Sequence, residues 1–227
     1  MSPMKPFRHA IFDLDGTLLD SLPLWEHLGE DYLRSKGIEP PPNLFFEILT
    51  RTIPETSEMF HARWKIGYNA EEVRGEICQR IADNYARNVP AKPFAIPLLR
   101  ALREADVSLC VATSNDREIV VPSLKRLGIE TCFDFLLTSP EFGSGKESPG
   151  IYRACMERLG GTRADTVVFE DAWYAVKTAS EDGFRVIAVR DPAEAENAPQ
   201  IEASSECILP DALSELLASL AAGGGAR

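Results

Sequence analysis

Positive charge is scarce in this chain of 227 residues. Its 24 lysines and arginines stand against 35 aspartates and glutamates, a formal net charge of −11. Nucleic acid and anionic membrane surfaces reward clustered lysine and arginine, so neither is expected as a main partner. Long apolar runs are missing as well. No stretch approaches the roughly 18 uninterrupted apolar residues of a membrane span. The opening MSPMKPFRHAIFD has no long apolar core and no cleavage-site pattern, so no signal peptide is expected. Cysteine is sparse and scattered. Cys78, Cys110, Cys132, Cys155 and Cys207 are odd in number, and no two lie within four residues. Zinc clusters and CxxC redox chemistry are thereby excluded, and reduced thiols in a cytoplasmic protein are expected. No internal repeat or low-complexity segment is present before the glycine-rich end.

What remains is an ordinary globular composition, 44% hydrophobic and 26% charged, long enough for one large domain or two small ones. Short β-rich runs recur: HAIFD (9–13), VSLCVAT (107–113), FDFLLTS (133–139), TVVFED (166–171) and RVIAVRD (185–191). Each is too short for a free-standing helix and apolar enough to be buried on both faces. Helical stretches lie between them over 93–105, 118–128, 148–160 and 175–183. Gly128, Gly160 and Gly183 stand where such helices stop. Strand–helix alternation predicts a three-layer, Rossmann-like parallel sheet with its ligand site at the C-terminal strand ends. Residues 21–90 break the rhythm: four helix-like segments follow one another with no strand candidate. The expected organisation is an α/β core over 1–20 and 91–222, a small inserted helical domain over 21–90, and a disordered tail over 223–227.

Four segments carry chemistry. Asp13-Leu14-Asp15-Gly16-Thr17 ends the first strand with two carboxylates two residues apart and a glycine that permits a sharp turn. The pair suits an oxygen-loving cation such as Mg2+, or a nucleophile with an acid/base beside it, or simply a capped turn. Thr113-Ser114-Asn115 closes the second strand with uncharged groups that can hold phosphate oxygens or can cap the helix beginning near Asp116. Lys146 follows Gly143-Ser144-Gly145 on a flexible turn. There it is either a surface lysine or a point charge able to reach a phosphate. The G-x-x-x-x-G-K-[ST] pattern of a Walker loop is absent. Glu170-Asp171 ends the fourth strand as a solvated acidic turn or as part of a metal site.

Together, in this order, the four resemble the motifs of the haloacid dehalogenase-like superfamily, and the resemblance spans nearly the whole chain. GKESPGIY and FEDAWYAVKTASEDGF are similar to members with a helical cap inserted directly after the first motif, and residues 21–90 fit that cap. The resemblance implies a Mg2+-dependent phosphatase that acts on a small phosphorylated metabolite through an aspartyl-phosphate, as a monomer or weak dimer. Asp13 matches the nucleophile, and Asp15 matches the general acid/base whose backbone carbonyl ligates the metal. Thr113 matches the phosphate-binding hydroxyl, with the Ser114 or Asn115 amide assisting. Lys146 matches the neutralising lysine. Asp13, Asp15, Glu170 and Asp171 form the implied metal set, with the choice between Glu170 and Asp171 as direct ligand left open.

The second aspartate separates the chain from the dehalogenases of the superfamily. A cap whose first helix region has only Lys36 does not resemble the Schiff-base phosphonate hydrolases. The nearest competitor is the β-phosphoglucomutase branch. Its histidine falls on Trp25, and its usual Val or Ile falls on Thr17, so hydrolysis is expected over mutation. The third motif reads Lys146-Glu147 in place of the usual Lys-Pro. Trp25, Phe45, Phe46, Phe60 and Trp64 are open to two readings, cap lining or cap core.

Overall fold

The computed structural model describes residues 5–49 and 51–223. They form two compact units. One joins the described parts of Met1–Asp20 and Pro90–Arg227, and the other is Ser21–Val89. Pro90, placed with the helical segment by sequence, falls in the first unit, where its carbonyl accepts the Asp20 amide at 2.9 Å.

The first unit begins with β1 (His9–Phe12). The second unit is made of α1 (Leu22–Ser35), α2 (Leu44–Ile48), α3 (Ile53–Trp64) and α4 (Ala70–Arg87). Two of its helices start at side-chain caps. Thr52 and Glu55 form a reciprocal capping box on α3, and Asn69 accepts the Glu72 amide at the start of α4. Val73, Ile77, Ile81 and Tyr85, spaced four apart, are the buried stripe of α4. Phe60 is buried and stacks on Tyr32, with ring centroids 5.8 Å apart. Phe46 is 74% exposed, so the aromatic set divides: Phe60 is core, Phe46 is surface, and Trp25, Phe45 and Trp64 are half-buried.

The first unit continues with α5 (Ala95–Glu104), β2 (Ser108–Thr113), α6 (Arg117–Arg126), β3 (Phe135–Thr138), α7 (Ser139–Phe142), α8 (Gly150–Leu159), β4 (Thr166–Glu170), α9 (Trp173–Glu181), β5 (Arg185–Val189), α10 (Ala198–Ala203), β6 (Cys207–Leu209) and α11 (Leu213–Gly223). Among the described residues these strands form one parallel sheet in the order β3-β2-β1-β4-β5-β6. Helices cover it in a three-layer, Rossmann-like arrangement. Ile11, Cys110, Ala112, Val168, Val186 and Ala188 share one face and pack on α8 and α9. The alternate residues Ala10, Phe12, Val111, Phe169 and Ile187 are also buried, which is why the strands read as continuous apolar runs. Phe12 and Phe169, register partners, stack at 4.1 Å.

Several details depart from the sequence reading. The sequence predicts five strands, and six are present among the described residues. β6 is only three residues long, too short for a periodicity signal. The third strand is trimmed to Phe135–Thr138 because Ser139 opens α7, capped by Thr138. The cap of α6 is Asp116, not Thr113, Ser114 or Asn115. Of the tail, Gly223 closes α11, and residues 224–227 lie outside the described residues. Gly128, Gly160 and Gly183 all have positive φ, as the helix stops required. No helix among the described residues is long and apolar enough to cross a membrane.

Candidate active site

The strand order decides where chemistry can collect. From β1 the chain proceeds to β2 and β3 on one side, then to β4, β5 and β6 on the other. The reversal falls between β1 and β4, and outside the carboxyl ends of the strands at such a point is where open α/β sheets place their ligands. Asp13 follows the last residue of β1, Glu170 ends β4, and Asp171 follows it. The Asp13 amide donates to the Phe169 carbonyl at 3.0 Å, so the ladder holds the first acid against the strand that carries the others.

Lys146 completes the group. It comes from the loop between α7 and α8, yet its side chain is only 2% exposed. Its Nζ donates to Asp13 Oδ1 and, at 2.6 Å, to Glu170 Oε1. The surface-lysine reading therefore fails, and the Lys146-Glu147 sequence delivers the ammonium without the usual proline. Glu170 Oε1 also accepts the Tyr152 hydroxyl at 2.7 Å. Asp171 Oδ1 accepts the Thr17 hydroxyl at 2.8 Å. Gly16 (φ +89°) turns the chain between these groups, and a Cβ there would stand 2.2 Å from Asp171 Oδ2. Only glycine fits both the left-handed backbone and the close approach.

The electrostatics follow from gathering acids in a dry place. Burial pushes the Asp13 carboxyl well above its usual range; Lys146 pulls it down, and Glu170, Asp171 and Asp15 push it further up. Burial, then Glu170, pushes Asp171 up to about 7. Burial pulls the Lys146 ammonium down, but Asp13 and Glu170 outweigh it and hold the group charged. Burial and Glu170 raise the Tyr152 hydroxyl, which keeps it a donor.

One carboxylate oxygen from each of Asp13, Glu170 and Asp171 lies within 4.8 Å of the others. Three carboxylates face one ammonium, and the excess negative charge is what a divalent cation would neutralise. An all-oxygen donor set suits a hard cation such as Mg2+. The side chain of Asp15 is not in this triad. It is half-buried and accepts from Asn115 Nδ2 at 3.2 Å. Thr113 is fully buried, and its hydroxyl accepts the Asn115 amide at 3.2 Å. Ser114 is exposed and hydrogen-bonds Tyr174. The expected residues thus form two clusters at one sheet edge: Asp13, Lys146, Glu170 and Asp171, and then Asp15, Thr113 and Asn115.

Sequence reasoning missed four participants. Thr17 was read only as a branch marker, and Tyr152 as part of a resemblance. Lys92 and Asp191 form a second buried ion pair, with Nζ to Oδ2 at 2.8 Å, close enough for Asp191 to bear on Asp171. A signal for Asp191 did exist, since it ends a strand-like run just as Asp13 does.

Residues 10–189 match the family model of the haloacid dehalogenase-like hydrolases. The chain is 30% identical over 184 residues to hexitol phosphatase A of Escherichia coli, covering 81% of this chain and 83% of that protein. It is 25% identical over 178 residues to a phosphorylated carbohydrates phosphatase of Thermotoga maritima, covering 78% and 82%. A crystal structure from Thermotoga maritima, provisionally named a β-phosphoglucomutase, superposes with a TM-score of 0.81 at 24% identity, over 95% of this chain and 99% of that one. At that identity the likeness shows the fold alone.

Proposed function

Because the chain belongs to the haloacid dehalogenase-like hydrolase family and is a phosphoric monoester hydrolase, we propose that it dephosphorylates a small phosphorylated sugar or sugar alcohol through an aspartyl-phosphate on Asp13. The observation that carries this reading is the buried Lys146 ammonium, held between Asp13 and Glu170 beside Asp171. It supplies the local positive charge that an acidic protein needs where phosphate binds.

Lys146 occupies Asp13 Oδ1, so attack on phosphorus falls to Oδ2. The new bond joins Oδ2 to phosphorus as the ester P–O bond breaks. Asp15, oriented by Asn115, gives its proton to the departing alcohol oxygen. Asp15 then takes a proton from the water that attacks phosphorus, and the Asp13–phosphorus bond breaks to release phosphate. The Thr113 hydroxyl and the Ser114 amide hold phosphate oxygens at the loop leading into α6, the Asn115 amide being engaged by Thr113. Asp13, Glu170, Asp171 and the Asp15 carbonyl are the groups that would hold Mg2+. When bound, the ion neutralises the phosphate and the carboxylates that face it.

The substrate class comes from the two phosphatases named above and their sugar-derived substrates. Ser21–Val89 is read as the cap that selects the substrate, and the five free cysteines support a cytoplasmic setting. Phosphate release from a panel of hexitol phosphates, sugar phosphates, nucleotides and phosphoglycolate, with Mg2+ present, tests the proposal. Release fastest from the polyol and sugar esters is the expected result, and no release from any compound overturns it. Trp25 stands where the mutase pattern has histidine, and its indole N–H donates to the Tyr85 hydroxyl at 3.1 Å. A coupled glucose 6-phosphate assay on β-glucose 1-phosphate should therefore show no product. Glucose 6-phosphate forming faster than free phosphate would make the protein a mutase.

A further inference from the structure

Lys146 is poorly held by its own backbone. It sits in the loop between Gly143 and the start of α8, outside any helix or strand, at the end of a flexible four-carbon stem. Its ammonium is fixed by Asp13 Oδ1 and Glu170 Oε1. Asp13 is a temporary partner: under the proposed mechanism its carboxylate becomes an ester and loses its charge. Glu170 is then the lasting anchor, and its own orientation matters twice. Oε1 meets Lys146, and one oxygen of Glu170 lies within 4.8 Å of a carboxylate oxygen of both Asp13 and Asp171.

The group that fixes this orientation is Tyr152. It lies on α8, is fully buried, and donates its hydroxyl to the same oxygen, Glu170 Oε1, that accepts Lys146. Its ring is clamped in the core against Phe184, with centroids 6.3 Å apart, so the hydroxyl is delivered from a rigid helix. Two donors already engage Oε1, which makes Oε2 the better cation ligand of the two oxygens. We infer that Tyr152 is a positioning residue, which through Glu170 holds Lys146 against Asp13 and assigns one oxygen of Glu170 to the lysine and the other to the metal. The hydroxyl of Tyr152 meets the cluster through Glu170. The inference rests on the proposed aspartyl-phosphate mechanism and deepens it.

Tyr152→Phe isolates the hydroxyl, because the phenyl ring keeps the contact with Phe184. Support around a metal ligand is typically worth about 10–100-fold in affinity or activity. The expected result is a roughly tenfold lower kcat with KM for the phosphate ester within twofold. Mg2+ affinity, read by calorimetry on the full chain without substrate, should fall by a similar factor. In a Glu170→Gln background the same substitution should add little, because the hydroxyl acts only through that carboxylate. Tyr152→Phe with wild-type kcat and wild-type Mg2+ affinity overturns the inference and leaves the proposed function standing. A full tenfold effect persisting in the Glu170→Gln background overturns it too, since the hydroxyl would then act by another route. A wild-type chain that neither binds Mg2+ nor releases phosphate overturns both proposals.

Discussion

One methyl group added at Gly16 should damage both stability and metal binding. Gly16 has φ +89°, a conformation that costs an L-residue roughly 1–2 kcal/mol. The new Cβ would also lie 2.2 Å from Asp171 Oδ2 and 2.7 Å from its Cγ. Asp171 has little freedom to retreat. It is buried, and Thr17 holds its other oxygen at 2.8 Å. Moving it breaks a hydrogen bond to a chargeable group, about 1.5–3 kcal/mol. Gly16→Ala should therefore cost about 3–5 kcal/mol. For a chain of this size each kcal/mol is roughly 2–4 °C, so the α/β unit should melt on the order of 10 °C lower. The assay is a circular-dichroism melt without metal, followed by a Mg2+ titration of phosphatase activity. The titration should show a higher half-saturating concentration and at least about tenfold lower kcat. Thr17→Val serves as the control, since it removes the hydrogen bond without the clash. Both substitutions act on Asp171, so their costs should add incompletely. An alanine variant that melts within about 2 °C of wild type and responds normally to Mg2+ would refute the reasoning, because 2 °C corresponds to under about 1 kcal/mol.

Asp13→Asn keeps the side-chain shape but removes the nucleophile, so the protein should fold and lose turnover. Activity within about tenfold of wild type, ~1.4 kcal/mol in barrier, would count decisively against Asp13. EDTA should abolish activity and Mg2+ restore it, with Asp171→Ala weakening the response and Ca2+ supporting poorly because its coordination is larger and looser. Full turnover in metal-free protein would rule the mechanism out. The pH dependence has a definite sign. In metal-free protein the Asp171 carboxyl stands at about 7, above its ordinary 3.8, and Asp13 is raised as well. The folded chain therefore keeps protons that the unfolded chain has already released, so stability should fall as pH rises from about 4 to about 7. Denaturant midpoints across that window should show the decline, and Mg2+ or Asp171→Asn should flatten it; a metal-free wild type that gains stability over the same window would contradict the assignment.

The sequence by itself determined much of this protein. Apolar runs such as HAIFD and TVVFED fixed the central strands, because buried parallel strands tolerate no alternation. Thr52 with Glu55, Asn69 and the three terminating glycines marked helix ends by local chemistry alone. Asp13, Asp15, Thr113, Lys146, Glu170 and Asp171 were legible because each follows a strand or precedes a helix in a recognisable order. Other things only the tertiary structure decided. β6 pairs solely because β5 offers it an edge, and no three-residue segment announces that. Asp116 takes the N-cap position of α6 without a side-chain cap bond, while the Thr113 hydroxyl accepts the Asn115 amide inside the loop. The place of Lys146 in the motif order is readable in the sequence, but its burial between two acids more than twenty residues away in either direction is not. Tyr152, Thr17 and the Lys92–Asp191 pair owe their roles to contacts made across the fold. Local sequence encodes backbone preference over a few residues; which carboxylate a distant hydroxyl or ammonium meets is set by strand order, and strand order is a property of the whole chain.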